Sequence, residues 1–149
     1  MPNTKKLRLY LDNCCFNRPY DDQKQLRIEI ETKAKLSIQE LIVSGKIDLI
    51  ISYILEYEND DNPYEIRKAA IEDFFKYSIQ NIVASPELID TAKNIQMSGI
   101  KAKDALHIAS AIMANCDYFL STDMRLLKYS DKRIKLINPV DFIMRKEEI

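Results

Sequence analysis

Short strand-like segments alternate with longer helix-like segments along this chain. Leucines at every second position from Leu7 to Leu11 predict a strand that ends where Asp12 begins. After a turn-rich stretch at 13–22, apolar residues recur at helical spacing: Leu26, Ile30, Ala34, Ile38, Leu41 and Ile42. Gly45 is expected to close this helix as a C-cap. Such alternation predicts right-handed βαβ units and a mainly parallel sheet covered by helices on both faces.

The alternation continues to the end of the chain. The remaining strands are predicted at 47–51, 79–84, 117–121 and 135–138. Predicted helices follow the second strand directly, begin at a capping box over Asn62-Pro63-Tyr64-Glu65 and run to about Tyr77, begin at Ser85-Pro86 and stop at Gly99, cover 102–115, and begin at Pro139. About five strands in 149 residues predict a single α/β domain spanning 1–149.

Charge and hydropathy narrow the function classes. The formal net charge is −1 and the pI is about 5.9, so the chain lacks the overall basic character common in nucleic-acid binders. The charge is unevenly distributed along the chain. The charged residues are mostly basic in 125–135 and all acidic in 56–65, although each segment can simply be a solvated surface. No apolar run reaches the roughly 18 residues of a membrane span, and the N-terminus lacks a signal-peptide core. A cytoplasmic protein is expected.

Cysteine and histidine are too few for a typical zinc site. Cys14 and Cys15 are adjacent, which lacks the gap of a zinc knuckle, and with Cys116 they are expected to be small buried or half-buried thiols. His107 is the single histidine, so cleavage by a pair of histidines is impossible. Any metal is therefore expected to be a hard cation on oxygen ligands.

Acidic residues follow three of the predicted strands. Ligands of open α/β sheets bind beyond the carboxyl ends of the strands. Asp12 follows the first strand, Glu56 and Glu58 the second, and Asp123 the fourth, while Asp104 begins the helix before the fourth strand. Each aspartate could instead cap a helix. Carboxylates gathered in one crevice would repel unless a cation neutralised them, so the pattern predicts a magnesium site.

Four sequence runs resemble the PIN-domain family, in the family's order and over nearly the whole chain. They are Leu9-Tyr10-Leu11-Asp12-Asn13, Ile51-Ser52-Tyr53-Ile54-Leu55-Glu56-Tyr57-Glu58, Lys103-Asp104-Ala105-Leu106-His107-Ile108-Ala109-Ser110-Ala111 and Tyr118-Phe119-Leu120-Ser121-Thr122-Asp123. Many members are VapC-type toxins of toxin–antitoxin pairs. The resemblance implies a three-layer α/β/α fold, Mg²⁺- or Mn²⁺-dependent endoribonuclease activity, a homodimer and a small antitoxin partner.

The same resemblance assigns the site residues. It implies that Asp12, Glu58, Asp104 and Asp123 are both catalytic and metal-binding. Glu58 is chosen because the family's glutamate stands six residues after a serine, here Ser52, whereas Glu56 lies about 200° around the helix.

Other positions near these acids stay open. Asn13 stands where many relatives carry Ser or Thr, and the long 13–22 loop resembles a poorly characterised bacterial branch. Ser121 and Thr122 either hold a metal-bound water or phosphate or cap the next helix. His107, three residues after Asp104, either orders a water or phosphate or packs and donates to a backbone carbonyl.

Two other classes compete with a nuclease. A flavodoxin-like signalling domain also has an aspartate at a strand end, but it needs an early acidic pair and a late lysine. Here Asp21-Asp22 lies too far past the first strand, and no lysine directly ends the fourth. A PIN-fold scaffold without activity is the other alternative, and retention of all four acids argues against it.

Overall fold

The computed structural model describes residues 6–145, which contain a five-stranded, all-parallel sheet. Its strands are β1 (Arg8–Leu11), β2 (Asp48–Ser52), β3 (Ser78–Ile82), β4 (Tyr118–Leu120) and β5 (Lys135–Ile137). Their order in the sheet is β3-β2-β1-β4-β5. The all-parallel sheet confirms the predicted α/β class. Its strand order differs from the flavodoxin-like order 2-1-3-4-5. The prediction about the N-terminal leader concerns residues outside those described.

Helices cover both faces of the sheet. Residues 6–145 form α1 (Asn13–Asn17), α2 (Leu26–Val43), α3 (Tyr53–Asp60), α4 (Glu65–Phe75), α5 (Pro86–Gln96), α6 (Ala102–Met113) and α7 (Pro139–Met144). Because parallel crossovers are right-handed, α2 and α4 lie on one face, and α5 and α6 on the other. The packing of α2 against α7 and of α5 against α6 agrees with this three-layer arrangement.

The chain reverses its direction across the sheet between β1 and β4. It runs outward from β1 through β2 to β3, then returns to place β4 on the other side of β1. The backbone N–H of Asp12 still donates to the carbonyl of Leu120 at 2.9 Å, so the segments that follow β1 and β4 diverge only beyond this bond. Such a switch point leaves a crevice at the carboxyl ends of the strands, where ligands of α/β proteins bind.

Three local predictions are corrected by the structure. The 13–22 stretch is not a turn throughout, because α1 and a 3₁₀ turn at Arg18–Tyr20 occupy most of it. Helix α4 begins at Glu65 rather than at Pro63, since Asn62 Oδ1 accepts a bond from the Tyr64 N–H and holds that segment in a turn. Strand β3 ends at Ile82, two residues before the predicted end.

The first half of α2 does not bury its apolar stripe. Leu26 is 69% exposed, whereas Glu31 and Lys35 are buried. The Glu31 carboxylate lies 3.1 Å from Arg18 Nε and accepts a bond from Asn138 Nδ2 at 2.5 Å. These polar contacts join α2 to the segments before α2 and before α7. Apolar spacing therefore predicts the buried face only for the later part of α2, where Ala34, Ile38 and Ile42 are buried.

The three cysteines are free thiols, as predicted. Cys15 and Cys116 are buried and Cys14 is half-buried.

Within residues 6–145, no helix is both long and apolar enough to cross a bilayer.

Candidate active site

One cavity lies at the carboxyl ends of the central strands and collects the acids singled out in the sequence. Asp12, Glu58, Asp104 and Asp123 all line this cavity, whose volume is about 410 Å³. It is called the acidic crevice below. Asp21, which the sequence analysis left out, is a fifth acid at its wall, and Arg18 pairs with it at 3.1 Å.

Asp12 is the central acid of the crevice. It ends β1 and is the N-cap of α1, where its Oδ1 accepts a bond from the Asn13 N–H at 2.8 Å. Its Oδ2 accepts a bond from Ser121 Oγ at 3.0 Å. Burial raises the pKa of Asp12, although the nearby His107 ring opposes that shift. A charged Asp12 therefore lowers the stability of the folded protein when no cation compensates its charge.

The two glutamates of α3 have different surroundings. Glu58 is half-buried, lines the acidic crevice and contacts His107 Nε2. Glu56 is exposed and accepts a bond from Asn81 Nδ2 at 2.6 Å. Of the two, Glu58 is thus the one that faces the other acids.

A buried chain of hydrogen bonds supports Glu58. The Tyr10 hydroxyl lies 2.6 Å from Ser52 Oγ and 2.6 Å from His107 Nδ1. If His107 is neutral and its Nε2 donates its proton to the Glu58 carboxylate, then Nδ1 accepts a bond from Tyr10, and Ser52 donates to Tyr10. Burial raises the pKa of Tyr10 well above its usual range, which keeps this hydroxyl protonated.

This series of hydrogen bonds is not evident from the sequence. His107 is packed, but its partners are the side chains of Tyr10 and Glu58 rather than the predicted backbone carbonyl or an external phosphate. A signal was available in β1, because a tyrosine within a buried strand needs a polar partner for its hydroxyl. Its partners lie 42 and 97 residues away, which no local pattern reveals.

Asp104 and Asp123 complete the acidic crevice. Asp104 lies in the first turn of α6, and burial raises its pKa, with the charges of Asp12, Asp123 and Glu58 adding to the rise. Asp123 Oδ1 accepts bonds from the N–H groups of Arg125 and Leu126. One oxygen of Asp123 thus has the capping role considered from the sequence, while the residue also lines the crevice.

The segment after β4 is tied to the segment after β1. Ser121 Oγ donates to Asp12 and accepts a bond from the Asp123 N–H at 3.1 Å. The Thr122 N–H donates to Cys14 Sγ at 3.3 Å. Cys14 also lines the crevice, a position that the sequence analysis did not consider for it. These bonds fix the relative positions of Asp12 and Asp123.

The donor set of the crevice suits a hard cation that keeps part of its water shell. Within residues 6–145, no group of three or more His, Cys, Asp or Glu side chains is arranged to hold a metal ion directly. Mg²⁺ commonly binds through one or two carboxylates, with waters and substrate phosphates as its other ligands. No Lys or Arg of the described chain lines the crevice. Its carboxylate oxygens, and the charges of Asp12, Asp104 and Asp123 that no Lys or Arg lining the crevice balances, fit such an ion.

The comparisons with known proteins concern the fold. No protein-family model matches the sequence, and no curated protein is similar to it. The structure is similar to a chain in the crystal structure of VapBC2 from Rickettsia felis, bound to a DNA fragment from their promoter. The TM-score is 0.58 and the sequence identity 15%, over 89% of this chain and 98% of that chain. The protein therefore has a PIN-like α/β fold.

Proposed function

We propose that this protein is a Mg²⁺- or Mn²⁺-dependent endoribonuclease that hydrolyses RNA phosphodiester bonds in the acidic crevice. The proposal is carried by one observation: Asp12, Glu58, Asp104 and Asp123 come from four separate segments and line a single cavity at the switch point of the sheet. Bound divalent ions would activate the attacking water and stabilise the leaving 3′-oxygen. A catalytically silent PIN-fold scaffold has no need of four converging acids.

Three of the four proposed metal-binding acids differ in what their surroundings contribute to this reaction. Asp12 and Asp104 are the more buried aspartates, and they supply charge where burial strengthens its attraction for a cation. Glu58 is oriented by His107 and so presents a fixed carboxylate. Ser121 holds Asp12 in place by donating to it. We assign no proton transfer to His107, because its two ring nitrogens are already engaged with Glu58 and Tyr10.

The cellular role that we propose is that of a cytoplasmic toxin in a toxin–antitoxin pair. The support is the resemblance to VapC-type toxins together with the fold shared with VapBC2. A homodimer and a small antitoxin partner belong to the same proposal. Expression of the parent chain should then arrest bacterial growth, and sedimentation should give the mass of two chains. Normal growth with an active nuclease would separate the enzyme from the toxin role.

The experiment that tests the enzymatic proposal is cleavage of a panel of structured RNAs. Cleavage should require Mg²⁺ or Mn²⁺ and stop in EDTA, because five carboxylates line the crevice and no Lys or Arg among its lining residues could bind the phosphate without a metal ion. Glu56→Gln is the matched control, since Glu56 is an exposed acid of the same helix. Cleavage that persists in EDTA, or that is lost in this control as in Glu58→Gln, would contradict the proposal.

Replacing Tyr10 by Phe is expected to lower the cleavage rate about 10-fold, as loss of a supporting partner behind a metal ligand commonly does. The change removes the hydroxyl that bonds His107 Nδ1 and leaves that nitrogen without a partner. The His107 ring can then turn, and Glu58 loses its fixed orientation. A titration with Mg²⁺ should show weaker apparent metal affinity. Unchanged rate and affinity would leave the hydroxyl with a purely structural role.

A further inference from the structure

A second cavity adjoins the acidic crevice and leads away from it across the surface. Its volume is about 250 Å³, and it shares Asn13, Asn17 and Glu58 with the crevice. Its other wall includes Tyr64 and Arg67. A polymer whose phosphate lay among the acids could therefore continue into this cavity.

Tyr64 and Arg67 form a surface that is suited to binding a ligand. Tyr64 is 58% exposed, although it is a large aromatic residue. The Arg67 guanidinium lies 4.2 Å from the centre of the Tyr64 ring and 5.1 Å from that of the Tyr20 ring. These two contacts place the cation against two aromatic rings and restrain its position.

The positive charge of Arg67 is not neutralised by an acid. Among residues 6–145, no carboxylate forms an ion pair with Arg67. Its Nη2 donates to the carbonyl of Tyr20 at 3.3 Å, whereas its Nε is buried without an acceptor. Buried donors normally have partners, so Arg67 has hydrogen-bonding capacity that the described residues do not satisfy. Arg67 thus remains a source of attraction for an anion in this otherwise acidic neighbourhood.

A chain of amides connects the two cavities. Asn17 Nδ2 donates to the Asn13 carbonyl at 3.0 Å, and Asn62 Nδ2 donates to Asn17 Oδ1 at 3.3 Å. Asn62 Oδ1 in turn accepts a bond from the Tyr64 N–H at 3.1 Å. Asn13 directly follows Asp12, so these bonds tie the backbone of Tyr64 to the wall of the acidic crevice.

We propose that Tyr64 and Arg67 bind an unpaired nucleotide of single-stranded RNA beside the bond that is cut. The Tyr64 ring stacks on the base, and Arg67 attracts the adjoining phosphate. Stacking on an aromatic ring requires a base with a free face, which single strands offer along their length and the interior of a duplex does not. This inference rests on the nuclease function proposed above and adds the substrate class, an RNA that is unpaired next to the cut.

The absence of tryptophan from the sequence gives a direct test. Tyr64→Trp introduces a single indole at the proposed stacking position. Tyr77→Trp is the matched control, since Tyr77 is 50% exposed. Tyr77 directly precedes β3 and so lies at the amino ends of the strands, whereas the crevice lies at their carboxyl ends. Both are made in an Asp104→Asn background to prevent cleavage, and titrated with a short oligouridylate in Mg²⁺. Saturable quenching is expected for Tyr64→Trp alone, and adding Arg67→Gln should weaken the affinity about 10-fold.

A kinetic test in the active protein gives an independent readout. Tyr64→Ala should raise the KM for an unstructured RNA about 10-fold or more while kcat changes little, because the ring binds a base away from the reacting atoms. Tyr64→Phe keeps the ring and should retain the parent KM. Equal quenching in the Tyr77→Trp control, or equal quenching by the same nucleotide concentration of a long RNA duplex, would overturn the stacking site.

The two proposals fail in different ways. Quenching at Tyr64→Trp with no cleavage by the parent in any metal would leave the base-binding site standing and remove the nuclease. Metal-dependent cleavage with an unchanged KM in Tyr64→Ala would keep the nuclease and remove the base-binding site.

Discussion

Replacing Asp12 by Asn should reduce RNA cleavage more than about 100-fold. Changing residues that merely support metal ligands commonly costs about 10- to 100-fold, and Asp12 is proposed as a ligand itself. The substitution keeps the size of the side chain but removes a full charge from the centre of the acidic crevice. Cleavage and metal affinity should fall together, and extra Mg²⁺ should restore part of the activity.

The stability of the same variant should move in the opposite direction. Because burial raises the pKa of Asp12 above its usual value of 3.8, its stability cost appears as the pH rises above 3.8 and is present at neutral pH. Without metal, Asp12→Asn should therefore be at least as stable as the parent. With Mg²⁺ it should gain less stability than the parent does, because it binds the ion less tightly.

Thermal melts with and without Mg²⁺, beside the cleavage assay, measure both effects. Asp60→Asn is a suitable control, because Asp60 is an exposed acid that does not line the crevice. If Asp12→Asn lost cleavage yet were stabilised by Mg²⁺ as much as the parent, Asp12 would not be a metal ligand. It would then act as a base or as a structural residue.

The fold and the place of the crevice could be predicted because they depend on local patterns. Runs of apolar residues predict the strands. Asp12 and Asp123 lie just beyond the ends of two of them. Parallel pairing then brings those ends to one edge of the sheet. Asp104 is a different case, because its place at the crevice depends on how α6 packs. The sequence pattern indicated only its position near the start of a helix, and the resemblance to a family assigned it to the site.

The supporting contacts could not be predicted because they join residues far apart in the chain. The bonds of Tyr10 to Ser52 and His107 exist only once β1, β2 and α6 are packed. The wrong start of α4 has a similar cause. Asn62 bonds Asn17, which lies 45 residues earlier, and its own turn displaces the helix start predicted at Pro63.

Replacing Lys35 by Met should stabilise the protein by about 2 kcal/mol at pH 7. Lys35 is only 6% exposed, and burial lowers the pKa of its ammonium group to about 8. The difference from its usual value of 10.5 corresponds to about 3 kcal/mol of destabilisation while the group is charged. Attraction to the rings of Phe16 and Phe74, at 5.7 and 5.2 Å, offsets about 1 kcal/mol. Met has a similar length and also packs well against aromatic rings.

The pH dependence separates this effect from ordinary repacking. Below about pH 8 the group is charged in both the folded and unfolded chain, so the full cost is present. Between about pH 8 and pH 10.5 the unfolded chain binds more protons at Lys35 than the folded chain does. The free energy of unfolding of the parent protein therefore rises with pH in this range. Urea unfolding at pH 7 and pH 9.5 should show the gap between Lys35→Met and the parent narrowing at the higher pH.

Lys33→Met is the matched control for this experiment. Lys33 lies on the same helix, but its side chain is 74% exposed and pairs with Glu29. Because exposed ion pairs contribute little, its replacement should change the free energy of unfolding by less than about 0.5 kcal/mol at either pH. A loss of stability in Lys35→Met at pH 7 would mean that the aromatic rings and Gln39, whose Oε1 accepts a bond from Lys35 at 2.8 Å, outweigh the cost of burying the charge. A gain that stayed the same at pH 9.5 would instead assign the effect to better packing of Met between the rings.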